Sequence, residues 1–270
     1  MDYFDFYLFH NVCEMNIDAY LDRSHRIYAY LTEQKKNGRI RHLGFSAHGS
    51  CEVIRRFLDA YGDAMEFAQI QLNYLDWDFQ GAKDKVELLT AHGLPVWVME
   101  PLRGGSLAKL APEEEEKLRA LRPDESMASW AFRFLQSVPE VTVILSGMSD
   151  LEQLKQNVET FSQDRPLSEA ERTALLGIAG DMVKKIVLPC TACRYRTSHC
   201  PQGLNIPELL ALYNEHCFTK GGFIAPMAVS AIPEDKRPNA CIGCRSCEAV
   251  CPQQIKISEA MADFSRMLNL

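Results

Sequence analysis

The stretch "SHRIYAYLTEQKKNGRIRHLGFSAHG", residues 24–49, sets the architecture. Its first part, 24–38, reads as a helix: Lys35 and Lys36 fall in the last turn, where they complement the helix dipole, and Gly38 supplies the stop. Its second part, 40–46, is short and largely apolar, as a buried strand is. The same alternation runs on either side. "FDFYLFH" (4–10) precedes it; "CEVIRRFLDAYG" (51–62) leads into "FAQIQLN" (67–73), "KDKVELLTAHG" (83–93) into "PVWVME" (95–100), and "ESMASWAFRFLQS" (125–137) into "VTVILSG" (141–147). A helix over 150–161 follows with Asp150 as its N-cap, then another over 168–186. Alternation of this kind predicts parallel strands joined by helical crossovers.

Composition bounds the rest. At 270 residues and 47% apolar, the chain buries one large core and a small appendage. A net charge of −7 without a Lys/Arg cluster argues against nucleic acid or an anionic membrane as partner. The start, "MDYFDFYLFHN", is acidic where a signal peptide is basic, and the longest apolar stretch, 221–233, is short and broken by Pro, so a cytoplasmic protein is expected. The acidic run Glu113–Glu116 reads as a solvated helix start.

Eight of the ten cysteines follow residue 189, and seven of those form two motifs. Cys241-x-x-Cys244-x-x-Cys247-x-x-x-Cys251-Pro252 is complete; Cys190, Cys193 and Cys200 repeat it with Arg196 in place of the third cysteine. Such spacing lets three thiolates of one motif reach three irons of a [4Fe–4S] cluster, with the Cys-Pro of the other motif as fourth ligand. That crossing assigns Cys200, Cys241, Cys244 and Cys247 to one intact site. Cys190, Cys193 and Cys251 form a second, incomplete site, because Arg has no lone pair to give iron. The second site is expected to hold a three-iron cluster, a cluster with an outside ligand, Zn²⁺, or nothing. Structural zinc is the competing reading for the whole region, but it needs only four ligands in two nearby pairs, and here the pairs lie far apart. The composition change at Leu188-Pro189 places a domain boundary there: 1–187 and 188–270.

The segments "DYFDFYLFHN", "IRHLGFSAHG", "AQIQLNYLD", "PVWVMEPLRGG" and "VILSGMSDLEQLKQN" resemble strands four to eight, with their loops, of the aldo/keto reductases. The cysteine segment with "CPQGLNIPELLALYNEH" resembles the bacterial branch of that family that carries a C-terminal ferredoxin-like extension. The resemblance implies an α/β fold: a partial (β/α)8 TIM-type barrel, strands one to three being absent, followed by a small α-helical ferredoxin-like iron–sulfur domain. It implies NAD(P)H as hydride donor to a small carbonyl substrate, with electron transfer through the [4Fe–4S] centre. Of the family's catalytic Asp, Tyr, Lys and His, it places only the His here, at His10. Ser46 and Gln71 match residues that hold the nicotinamide carboxamide, and Met99 stands where an aromatic residue often stacks on the ring. Pro101, Leu102, Gly104 and Gly105 match the loop along the pyrophosphate, and Asn157 an adenine contact; Gln153 lies near where a basic residue meets a 2′-phosphate. The expected partners are a carbonyl substrate, a redox partner protein, or a chain that completes the barrel. The alternative function is an electron carrier or docking module acting with such a chain.

Overall fold

The computed structural model describes residues 2–184, 188, 190, 199–251 and 253–270. The chain divides into two compact units, Met1–Gly180 and Asp181–Leu270. The first runs β1 (Phe4–Val12), α1 (Ile17–Leu21), α2 (Ile27–Lys36), β2 (Ile40–Ala47), α3 (Cys51–Tyr61), β3 (Ala68–Gln71), α4 (Asp76–Phe79), α5 (Ala82–Ala91), β4 (Val96–Met99), α6 (Pro112–Leu121), α7 (Met127–Gln136), β5 (Val141–Ile144), α8 (Leu151–Phe161) and the start of α9 (Glu169–Lys184). All strand pairs are parallel, and the sheet order is β1-β2-β3-β4-β5. A doubly wound sheet reverses its strand order once; this one never does, which is the sequence of neighbours found in a β/α barrel.

Local chemistry explains the main elements. Ser50 caps α3 by accepting the Val53 N–H, and the helix then buries Val53, Ile54, Phe57 and Leu58 as one stripe. Asp150 caps α8 in the same way through Gln153 N. α7 is apolar nearly all round, with Trp130, Phe132, Phe134 and Leu135 fully buried, each such side chain contributing about 1.5–3 kcal/mol.

Strand register separates the two faces of the sheet. Leu43, Phe45, Ala68, Ile70, Val96 and Val98 are buried on the face that the helices cover. The other face carries Phe6 opposite His42, Ser46 opposite Gln69, Gln69 opposite Trp97, and Gln71 opposite Met99. Aromatic rings floor it: Phe67 and Trp97 stack at 4.2 Å, and Phe6 meets Trp97 edge-on at 4.8 Å. Gly44 makes room for this layer, since a Cβ there would stand 2.5 Å from the Phe67 carbonyl oxygen. Polar side chains therefore gather at the carboxyl ends of the strands, above the aromatic floor.

Four short elements escape a reading by periodicity: α1, α4, and in the second unit α11 (Ile224–Ala231) and α12 (Ser246–Ala249), which lie between α10 (Ile206–Thr219) and α13 (Ile257–Met267). One detail of the acidic run is corrected. α6 does begin there, but Glu114 is buried rather than solvated, because its carboxylate turns back to accept the Ala111 N–H at 3.3 Å.

The second unit is helical, with no strand among the described residues. Leu204, Ile206, Leu210, Ile255, Ile257 and Met261 form its core together with Cys247 and Cys251. Tyr213 on α10 donates to Asp263 Oδ2 on α13 at 3.0 Å, tying the two long helices together.

Candidate functional site

In the first unit the loop after β4 and the loop after β5 enclose a cleft of about 450 Å³. Pro101, Leu102, Gly104 and Gly105 line it from one side, and Asn157 and Gln153 on α8 from the other. The β4 loop is built from unusual backbone: Glu100, Arg103, Gly104 and Gly105 all have positive φ, and the loop folds on itself, Arg103 N–H donating to the Glu100 carbonyl at 3.0 Å and Gly105 N–H to the Leu102 carbonyl at 2.9 Å. Gly104 N–H is already taken, by Glu100 Oε2 at 2.7 Å. Asn157 Nδ2 donates to Ser146 Oγ at 3.2 Å, which holds the two sides of the β5 loop together. No Lys or Arg is among the described residues lining this cleft.

The remaining single residues lie at the carboxyl ends of the strands. His10 falls near the end of β1 and is exposed, Ser46 near the end of β2, Gln71 ends β3 and Met99 ends β4. Ser46 Oγ accepts the Asn11 N–H at 2.8 Å, which leaves the hydroxyl hydrogen to donate. Gln71 Nε2 donates to Asp76 Oδ2 at 2.7 Å, whereas Gln71 Oε1 is buried with no partner among the described residues.

Sequence reasoning missed what stands behind these residues. Asp76, wholly buried, accepts from Gln71, from Asn73 Nδ2 at 2.7 Å and from Arg103 Nε at 3.0 Å. Asn73 Nδ2 also reaches the Glu100 carbonyl at 3.0 Å, so one carboxylate links the end of β3 to the β4 loop. No local pattern announces this, because Arg103 and Asp76 are 27 residues apart. Beside His10 lies His48, whose pKa is lowered to about 4 by burial and then by Lys85 and His10, so that it is neutral at pH 7. Lys85 is itself lowered, by burial, against the opposing charges of Cys51, Glu14 and Asp76.

In the second unit, Cys190, Cys200 and Cys241 pack against the core that holds Cys247 and Cys251. Burial first, then Cys241, Glu248 and Cys200, push the Cys247 thiol up to about 11. Ile255 N–H points at Cys251 Sγ at 3.2 Å, the amide-to-sulfur contact that suits a thiolate. Cys244 is exposed in a loop turned by Gly243 and Arg245, both of positive φ, and the backbone and hydroxyl of Ser246 lower its pKa. Cys193 and Arg196 lie outside the described residues. Among the described residues no group of three or more His, Cys, Asp or Glu is arranged to hold a metal ion, and no helix is long and apolar enough to cross a membrane.

Comparison with known proteins follows the same division. The model of the aldo/keto reductase family matches residues 1–178. No curated protein matches the chain significantly. Among solved structures, the holo form of an aldo-keto reductase from Bacillus halodurans is similar at 25% identity and a TM-score of 0.52, over 66% of this chain and 59% of that one. A thermostable aldo-keto reductase solved with the inhibitor epalrestat gives 20% identity, a TM-score of 0.52, and 66% and 61% coverage. The chain thus spans about three fifths of the length of the structures it matches.

Proposed function

The chain belongs to the aldo/keto reductase family, whose model covers residues 1–178, and from that premise we propose an iron–sulfur oxidoreductase in which a nicotinamide dinucleotide binds the first unit and a [4Fe–4S] cluster the second. One observation carries the nucleotide half: Pro101, Leu102, Gly104, Gly105 and Asn157, far apart in sequence, line a single cleft. The unpartnered Gln71 Oε1 and the donating Ser46 hydroxyl fit the two ends of a carboxamide. When bound, the nucleotide supplies hydride and the cluster supplies single electrons. The chain's own residues do the rest. The β4 loop lies along the pyrophosphate, Met99 covers the ring, and Asn157 meets the adenine. His10 donates a hydrogen bond to a carbonyl oxygen of the substrate, with His48 beside it held neutral at pH 7 by burial. That no Lys or Arg is among the described residues lining the cleft favours NADH over NADPH, whose extra phosphate would meet no cation among them.

For the cluster, Cys200, Cys241, Cys244 and Cys247 are the ligands of the intact site, and Cys190, Cys193 and Cys251 of the incomplete one. The packing of Cys200 and Cys241 around Cys247 supports this crossing. A cubane places each thiolate on a different iron, so its ligands stand farther apart than those of a single ion.

Anaerobic purification followed by iron, acid-labile sulfide and zinc analysis tests the second unit. About four irons per chain, rising to about eight in Arg196→Cys, is the expected result. Zinc without iron overturns it. Titration with NADH and NADPH tests the first, and absence of binding by either removes the nucleotide reading.

A second reading, that the chain acts in an assembly as an electron carrier or docking module, is favoured by β1. It pairs on one side only and leaves Phe4, Phe6 and Tyr7 exposed.

A further inference from the structure

We infer that Lys236 is a positioning residue for the cluster site: it holds the turn that carries Cys200 against the strap that ends in Cys241, and so keeps thiolates of the two cysteine motifs facing one site. The inference rests on the cluster reading above and adds to it the side chain that joins the two motifs.

The four thiolates of the intact site are not held equally. Cys247 is buried in the helical core. Cys200 and Cys241 are partly buried and pack against that core, and Cys244 is exposed. A ligand outside the core needs its backbone fixed by other groups, because each thiolate has to meet its own iron.

Cys200 begins a tight turn. Gly203 N–H donates to the Cys200 carbonyl at 2.9 Å, and the chain beyond is anchored by Leu204 and Ile206, both 1% exposed. Within the turn, the Gln202 carbonyl accepts from Lys236 Nζ at 2.6 Å. The ammonium stands over the turn, since a Cβ added at Gly203 would lie 3.6 Å from the same atom. A charged donor makes the shorter and stronger kind of hydrogen bond, and this one spans 34 residues of chain. The exposed Asp235 carboxylate is farther from Nζ, at 3.6 Å, so the carbonyl takes the hydrogen bond.

Lys236 itself sits on fixed backbone. Its N–H donates to the Pro233 carbonyl at 2.8 Å, and Arg237 Nε and Nη2 donate to the Ile232 and Ser230 carbonyls, both at 2.9 Å. The Ala240 and Cys241 N–H groups then donate to the Arg237 and Pro238 carbonyls at 3.0 and 3.1 Å. Successive turns therefore run from the end of α11 to Cys241, and one side chain of that strap reaches back to the first motif.

The test uses the full chain, reconstituted anaerobically with iron and sulfide, and follows the rate at which an excess of a ferrous chelator removes iron, read from the absorbance of the iron–chelator complex. The Lys236 side chain is 42% exposed, so replacing it leaves the core intact. Lys236→Met keeps its length and removes its donor; iron should leave about tenfold to a hundredfold faster than from wild type, the usual scale for losing a group that orients a metal ligand. Lys236→Arg keeps a charged donor and should stay within about threefold of wild type. In a Cys200→Ser chain, whose iron is already lost faster, Lys236→Met should add less than about threefold, because the lysine acts through the turn that carries that ligand. A wild-type rate in Lys236→Met overturns the inference. So does an undiminished further acceleration in the Cys200→Ser chain, which would mark a general loosening of the unit. A wild-type chain that takes up no iron removes the cluster reading and this inference with it, an outcome distinct from iron lost at a rate indifferent to Lys236.

Discussion

Two side chains in the loop after β4 set the charge that the proposed dinucleotide would meet there. Arg103 is spent on Asp76 in the interior, whereas Glu100, with φ of +57°, folds its carboxylate back onto the Gly104 N–H at 2.7 Å. A pyrophosphate laid along this loop has to displace that carboxylate and bear its charge. Glu100→Gln should therefore tighten NADH binding by about threefold to tenfold, with a gain that shrinks as salt is raised. Titration at two ionic strengths reads both effects, and unchanged affinity would mean the phosphates pass elsewhere. At this scale the sequence was legible where chemistry is written in neighbours: Pro101 to Gly105 announces a turn by its glycines, and Gly104 and Gly105 do take positive φ. It was silent on Asp76, whose acidic side chain at the start of α4 looks like an ordinary helix-end charge until Arg103 is brought over it.

Among elements, the contact between the end of α6 and the start of α9 depends on one ion pair. Arg122 Nε and Nη2 donate to the two oxygens of Glu171 at 2.6 and 2.7 Å, and Ser168 adds its N–H at 2.8 Å. Arg122 above all holds the Glu171 carboxyl at about 2, against an ordinary value of 4.5. A carboxyl whose pKa is lower folded than unfolded gives stability that is complete above the ordinary value and is lost as pH falls from about 4.5 toward about 2. For a side chain 16% exposed this is worth about 1–2 kcal/mol. Glu171→Gln should cost that much at pH 7 and flatten the fall in stability between the two pH values; urea unfolding across pH measures it, and parallel pH curves for the two chains would refute it. A helix long enough to show a buried stripe, such as α3, or a long apolar run, such as α7, could be placed from sequence. α1 and α4, of five and four residues, could not, since a single turn has no period to read.

For the molecule as a whole, the parallel sheet was legible because each strand is followed by a helix and, in the first three units, by a glycine-marked turn; an open edge was expected from the strands that the resemblance leaves out. β1 is such an edge, with Phe4 48% and Tyr7 38% exposed and their rings in edge contact at 5.6 Å. The isolated chain should self-associate with concentration, and Phe4→Lys with Tyr7→Lys should lower its apparent mass in sedimentation velocity. A wild-type chain that sediments as a monomer at all concentrations would argue that this edge is already harmless. Strand order has a further consequence, in time. Because every strand lies beside its successor, each βα unit can dock on the edge left by the one before it, within the few seconds that synthesis of about thirty residues takes. The sheet can then grow in one direction as the chain emerges, with few contacts waiting on distant sequence, a path that keeps entropy losses local.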